Sequence, residues 1–367
     1  MVAHEQDDAL QHLKRVSRIK HQILTGYLPA WARILGSRNK LLCYFDCYAG
    51  PGAYESEGHA VPGSPTIAVS SAIEFSRKHK EHRLVVRLIE ADSDQLDRLR
   101  QALRPFQPYP NNLDVKIRPG DALSEVTGVL DKVASLPPAF FMVDPYGHPL
   151  PLPLMNRILG QLKSELFINL MWWRISMDIA NPSMQQRIDQ LFGDRDWRNQ
   201  LFVQSHGQQR EREFIAYFKA RLEARYVLEF RIRMDPEDRT GGSRTKYYLL
   251  HASNNVRAVL LMKEVMWPLG DEEGTFDYAA ESQQVLISST PRVEELQQIL
   301  TKRFAGQEVG FDELRERTWE LPFIEKHYRE LLRRLESSGR ATIRRITSKK
   351  TGITGNDLVR FVPEATL

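Results

Sequence analysis

Two cysteines in 367 residues, Cys43 and Cys47, leave no room for a disulfide framework. They fall on one predicted strand and one face of it, too far apart along the chain for an unstrained bridge. Two small buried hydrophobes in a reducing compartment are the simplest use of such a pair, so a cytoplasmic setting is expected. No apolar run approaches the roughly 20 residues that a membrane-spanning helix needs, and no membrane association is expected. The N-terminal stretch MVAHEQDDALQHLKRVSRIK is charged and mixed, unlike a secretory signal. No His/Cys/Asp cluster has metal-ligand spacing, so no metal site is expected. Neither Gly-x-Ser-x-Gly nor a phosphate-binding Gly-Lys-Ser/Thr occurs, and no repeat of 20–50 residues is visible.

What is present is a soluble balance, 42% hydrophobic and 27% charged, in a chain long enough for two domains. The net charge of +4 is a mild lean towards anionic partners. It is unevenly placed. Residues 292–367 carry 15 Lys and Arg against 12 Asp and Glu, and Arg333–Lys350 holds seven basic residues to one acidic, Glu336. That stretch is where contact with nucleic-acid phosphates is to be sought; a solvated helix face is the competing reading.

Periodicity gives one or two amphipathic helices over 9–36, then a strand at 41–46, a glycine turn and a polar excursion at 54–63. Ser64-Pro65 starts a helix to about Lys80. Strands follow at 84–90, 111–117, 139–144 and 166–171, with a charged helix over 93–103. Strands alternating with helices predict an α/β fold with a doubly wound, mostly parallel, Rossmann-like sheet. Residues 175–240 read as a helical insertion or cap, with strands at 227–234, 246–251 and 285–288. The first domain is placed at 1–290. Residues 291–367 predict helices at about 292–304, 311–319 and 323–337, then strands at 341–346 and 358–362 around a Lys349–Gly352 turn: a winged helix-turn-helix.

In an open parallel sheet the ligand lies beyond the carboxyl ends of the strands, at the switch point. Those ends carry Asp46, Glu90, Asp121 and Asp144, and are expected in register. Gly50 and Gly52 admit a ligand to the backbone and aim amides at it. Glu90 is placed to accept ribose hydroxyls and Asp121 to accept from an adenine amine. Gly52 to Glu90 is 38 residues, against the roughly 20 of a compact dinucleotide fingerprint, and the first glycine of Gly-x-Gly-x-x-Gly is missing. A simple NAD site is disfavoured.

Asp46-Cys47-Tyr48-Ala49-Gly50-Pro51-Gly52 resembles, position by position, the first motif of class I S-adenosylmethionine methyltransferases that act on nucleic-acid amines, Asp-Leu-Phe-Ala-Gly-Ser-Gly. The resemblance implies S-adenosyl-L-methionine as cofactor, held by Asp46, Ala49, Gly50, Gly52, Glu90 and Asp121. Asp144-Pro145-Tyr146-Gly147 is similar to the Asp-Pro-Pro-Tyr tetrad of those enzymes, with the aromatic one residue early, and closer to the Asp-Pro-Phe-Gly of tRNA guanine-N2 dimethyltransferases. It implies that Asp144 and the Pro145 carbonyl accept hydrogens from a target amine while Tyr146 stacks on the base. Tyr48–Gly52, Gly63-Ser64-Pro65, Asp144–Gly147 and Asn169-Leu170-Met171 together resemble the three-Cys-motif partner proteins over about residues 10–290. That family's character implies a methyltransferase often paired with a radical-chemistry protein bearing a three-cysteine motif.

Other residues keep two readings. His148 fits a proton shuttle or a plain loop histidine. Trp172 and Trp173 fit stacking on an extruded base or core packing. Arg333, Arg334, Arg344, Arg345, Lys349 and Lys350 fit a helix and wing laid along phosphates, or a protein-docking module. The function expected is methylation of an exocyclic nitrogen of a nucleic-acid base. The alternative is a non-catalytic S-adenosylmethionine-binding module that docks DNA or a partner protein.

Overall fold

A computed structural model describes residues 2–56, 59–233, 244–270, 277–278, 293–346 and 352–362, with side chains from Arg18 onward. The chain divides into two compact units, Met1–Met262 with Ala279–Glu281, and Lys263–Tyr278 with Ser282–Leu367. The expected boundary at 290/291 and strand at 285–288 lie outside the described residues.

The first unit begins with a single helix, α1 (Val2–Gly36), in place of the expected one or two. There follow β1 (Leu41–Asp46), a hairpin of β2 (Ala53–Ser56) and β3 (His59–Pro62), α2 (Ser64–Lys78), β4 (Arg83–Glu90), α3 (Ser93–Leu103) and β5 (Leu113–Pro119). Then come α4 (Ala122–Lys132), β6 (Ala139–Val143), α5 (Leu152–Leu159), β7 (Ser164–Leu170), α6 (Trp172–Ala180), α7 (Gln185–Phe192), α8 (Leu201–Gln204), α9 (Gly207–Arg221), β8 (Tyr226–Arg233) and β9 (Thr245–Ser253). Helix α10 (Val256–Met266) and the two-residue β10 (Asp277–Tyr278) complete the elements before the C-terminal set.

Seven strands take the spatial order β8-β9-β7-β6-β1-β4-β5. Neighbours from β7 to β5 are parallel, whereas β9 is antiparallel to both β7 and β8. The expected doubly wound, mostly parallel, Rossmann-like sheet is present. Every residue of β6 and β7 is buried, as a parallel strand covered on both faces requires; β6 is apolar throughout, whereas β7 also buries Ser164, Glu165 and Asn169. The order in which successive strands are added reverses between β1 and β6, with β4 and β5 on one side and β6 and β7 on the other, which sets the switch point there.

Side-chain alternation assigns the two faces. Phe45 and Phe141 stack at 4.4 Å on one face, in a core that also takes in α4–α9. The segment read as an insertion or cap is part of this layer: Ile175, Ile188, Phe192, Trp197, Phe202, Phe214 and Phe218 bury into the same core as the sheet. Its aromatic content is the physical reason, since so much apolar area needs a large surface to cover it. On the other face, Phe140 gathers Tyr27 and Trp31 of α1 with Tyr44 and Phe167, at centroid distances of 5.5 to 6.3 Å.

The second unit holds α11 (Val293–Arg303), β11 (Glu308–Gly310), α12 (Phe311–Glu316), α13 (Glu325–Ser337), β12 (Ala341–Arg344) and β13 (Leu358–Phe361). Three helices and an antiparallel sheet of order β11-β13-β12 enclose a separate core, the expected winged helix-turn-helix. The third strand, β11, was not expected, because three residues carry no readable period.

Phe140→Ala is expected to lower unfolding free energy by about 3–5 kcal/mol, since four ring contacts on α1 and the sheet lose their hub. Tyr146→Ala, at a side chain 83% exposed, is expected to stay within about 0.5 kcal/mol. Urea unfolding of the two variants beside the parent checks both.

Candidate active site

The glycine turn after β1 is shaped by backbone geometry. Gly50 and Gly52 have φ of 62° and 77°, the left-handed region that side chains avoid. A Cβ on Gly52 would lie 2.9 Å from Leu99 of α3, and one on Gly50 would lie 3.2 Å from the Tyr54 hydroxyl. Both amides were expected to face a ligand. That of Gly50 instead donates to Glu90 Oε2 at 2.7 Å, while the neighbouring Ala49 N–H donates to the Ile89 carbonyl at 2.9 Å. The turn is thus tied to the end of β4.

The four acids are not level, contrary to the expectation. Register pairs Asp46 with Leu88 and Met142, which leaves Glu90 and Asp144 two residues further along. At about 3.3 Å per residue Asp46 therefore lies some 7 Å deeper. It is fully buried, and receives bonds from the Tyr44 hydroxyl at 3.3 Å and the Tyr48 amide at 3.4 Å. Burial pushes its carboxyl up to about 7, against the hydrogen bond from Ser64, and Asp144 pushes the same way. Glu90 is committed too: besides Gly50, its Oε1 accepts from the Ala91 and Asp92 amides at 2.9 Å. Asp121 caps α4 by accepting from the Ser124 amide at 2.9 Å, and that bond holds its carboxyl below the usual range.

Asp144 is the focus of the site. Val143 pairs with Ile168, so the next rung sets Asp144 beside Asn169. The Asn169 amide donates to Asp144 Oδ1, and the Lys20 ammonium of α1 donates to Oδ2, each at 2.5 Å. Lys20 is 8% exposed and also lies 5.8 Å from the centre of the Tyr247 ring. Beside it, burial holds His21 down to about 4, so the imidazole is neutral near pH 7, and its ring stacks on Tyr54 at 6.1 Å. Tyr54, in the β2–β3 hairpin, sits over the glycine turn, its hydroxyl 3.2 Å from where a Cβ on Gly50 would lie. Burial, then the charges of Tyr146, Asp144, Asp46 and Glu90, push that hydroxyl's pKa up. Tyr146 projects outward next to Asp144.

Lys20, His21 and Tyr54 were missed in the sequence. A lysine and a histidine next to Ile19 on the apolar face of α1, which continues through Ile23 and Leu24, were the available signal. Two buried polar atoms near Asp144 have no partner among the described residues, His21 Nδ1 and Asn169 Oδ1. Together with the side-chain-free Gly50, they fit a polar nucleoside-bearing ligand.

The remaining residues separate. Trp172 is buried and packs on Phe214 at 5.2 Å, the core reading. Trp173 carries Arg174 5.5 Å from its ring. His148 faces Asp178 at 3.4 Å, and burial lowers its pKa. In the winged unit, Arg334 pairs with Glu294 at 3.0 Å, Arg344 with Glu308 at 2.9 Å, and Arg345 with Glu336 through two bonds of 2.7 and 2.8 Å. Lys349 and Lys350 lie outside the described residues.

The family model described as the GMT-like wHTH domain matches residues 273–345. No curated protein matches this chain. Among solved structures, the chain is similar to a Legionella pneumophila protein placed under the family model DUF519, at 13% identity and TM-score 0.39 over 65% of this chain and 85% of that one. It is similar to an S-adenosylmethionine-dependent methyltransferase of Agrobacterium tumefaciens at 9% identity and TM-score 0.31, over 62% and 61%. A third is the magnesium protoporphyrin IX methyltransferase of Synechocystis with bound S-adenosylhomocysteine, at 10% identity and TM-score 0.31, over 66% and 87%.

The raised Asp46 carboxyl has a signed consequence. Between about pH 4 and pH 7 the folded protein keeps a proton that the unfolded chain has released, so stability falls as pH rises through that window and levels off above it. The contribution is on the order of 2–4 kcal/mol. Asp46→Asn is expected to remove this component, being more stable than the parent at pH 8 and close to it at pH 5. Denaturant unfolding across pH, parent against variant, reads the difference.

Proposed function

We propose that this protein is a methyltransferase that uses S-adenosyl-L-methionine to methylate an exocyclic nitrogen of a nucleic-acid base. The observation that carries the reading is Asp144, held between Lys20 and Asn169 at the switch point, with Tyr146 83% exposed beside it. An exocyclic amine is a weak nucleophile while its lone pair is conjugated into the ring. Acceptors placed on its N–H bonds free that lone pair, and positioning supplies most of the remaining rate.

Asp144 keeps lone pairs beyond the two already engaged and accepts one amine hydrogen; the Pro145 carbonyl accepts the other. Tyr146 offers a ring face to an extruded base. Lys20 fixes the carboxylate's orientation and balances its charge. Asp46, Ala49, Gly50 and Gly52 form the floor of the cofactor end, the unused lone pair of Glu90 Oε2 serves a ribose hydroxyl, and Asp121 serves the adenine edge. When bound, S-adenosylmethionine supplies the electrophilic methyl group. The winged unit brings the nucleic acid. Arg333 has no carboxylate partner among the described residues and is offered to phosphate, and Arg334, Arg344 and Arg345 exchange carboxylate partners that solvent screening keeps weak. A three-Cys-motif protein is the proposed partner, in the cytoplasm.

One observation favours a second reading, a non-catalytic binding module: both Asp144 oxygens already have donors.

Calorimetric titration with S-adenosylhomocysteine is expected to give one site. Gly50→Val is expected to weaken it by at least about 10-fold, or about 1.4 kcal/mol. Labelled methyl transfer to total RNA and DNA is expected from the parent, and Asp144→Ala is expected to lower it by on the order of 10²–10³-fold with binding retained. Binding without any labelled acceptor favours the second reading; absence of binding removes both.

A further inference from the structure

The turn between α2 and β4 brings together three residues that the proposed methyl transfer does not use. His79, Glu81 and His82 each offer one ligand atom, and these atoms lie within 4.8 Å of one another. The turn lies at the start of β4, whereas the candidate active site is at the strand's far end. Eight residues at about 3.3 Å each separate the two by roughly 25 Å.

The turn is held in advance of any ligand. The Asn112 side-chain amide donates to the carbonyls of Ser76, His79 and His82, at 3.1, 3.1 and 2.8 Å. The His82 amide closes the turn onto the His79 carbonyl at 3.1 Å. Phe75 packs against both imidazoles, at 4.6 Å from His79 and 5.9 Å from His82. The backbone of the turn is therefore fixed independently of the histidine ring nitrogens, and Phe75 backs both rings.

His82 supplies the chemical argument. Its Nε2 lies 2.7 Å from the Gly36 carbonyl, which accepts only, so Nε2 carries the proton. In the neutral ring Nδ1 then presents its lone pair. That atom is buried, Glu81 Oε1 lies 2.8 Å from it, and no hydrogen bond of good geometry reaches it among the described residues. A lone pair and a carboxylate oxygen turned towards one another at that distance are bridged by a cation, either a proton or a metal ion. A ring N–H donated to a backbone carbonyl is also the usual outer support of a metal-bound histidine, because it fixes the tautomer and the ring plane. Two imidazoles and one carboxylate suit a borderline divalent ion and leave a coordination position for water.

We propose that His79, Glu81 and His82 form a binding site for a divalent transition ion of the zinc class, which staples the end of α2 to the start of β4. The competing arrangement is a protonated His82 paired with Glu81, which holds no metal.

Zinc ion, titrated against a chromophoric chelator into the full untagged chain, tests this. The expected result is one saturable site. His82→Gln and Glu81→Gln are each expected to weaken it by on the order of 10–100-fold. Glu81, with a side chain 64% exposed, can be replaced without disturbing the core. Cobalt(II) loading is expected to give visible ligand-field absorption that both variants lose. Absence of saturable binding overturns the proposal. So does binding that both variants retain unchanged, which places the ion elsewhere. Neither result bears on methyl transfer.

Discussion

A carboxylate at the end of a strand buried on both faces must be matched by donors before helices can close over it, and Asp144 meets that demand with Lys20 and Asn169. Much of the first unit follows from the Lys20 contact. Lys20 reaches Asp144 only if α1 lies along that face of the sheet, and the apolar residues one and two turns on, Ile23, Leu24 and Tyr27, are buried there with it. The same helix serves a second acid. Seven residues beyond Lys20, or about 10 Å along the helix, the Tyr27 hydroxyl donates to the buried Glu165 at 2.5 Å, where His251 also binds at 2.9 Å. One helix thus satisfies a buried carboxylate at each end of the sheet, and between the two polar contacts it docks through the buried aliphatic residues Ile23 and Leu24.

The sheet was legible because parallel strands covered on both faces read as apolar runs: β1 and β6 do so almost throughout, and β4 and β7 over Leu84–Val86 and Leu166–Ile168. The acid-bearing ends were legible for the same reason, as a run that stops at a charge marks where the strand leaves the core. Depth along the strand was not legible. Whether Asp46 and Asp144 are level depends on which residues pair, and no local feature of either strand records that. The consequence is large: one acid is sealed under the turn and the other stands at the crevice.

Commitment of donors was hidden in the same way. Gly50 and Glu90 were both recognised as site residues, yet their bond to each other spans 40 positions and is set by strand order. Lys20 was hidden by pattern. On a helical period it flanks the apolar stripe, and only the presence of Asp144 across the sheet turns it inward. The hairpin that brings Tyr54 to the site lay in a stretch that read as a polar excursion, since four-residue strands with exposed faces carry little period.

The winged unit illustrates the limit of counting charge. Its basic excess over Arg333–Lys350 suggested a phosphate track, but three of the four described arginines selected there already face carboxylates. Two of the partners come from elsewhere in the same unit, Glu294 from α11 and Glu308 from β11, and the third is Glu336 of α13, the one acid within the stretch. A sequence count places each charge at its position, whereas the field that a nucleic acid meets is set after folding has paired them. Exposed pairs of this kind are weak enough for phosphate to compete for the guanidinium, so the pairing lowers the long-range attraction more than it lowers the contact energy. A surface built that way discriminates through close fit rather than through steering, which makes the spacing of its arginines matter more than their number.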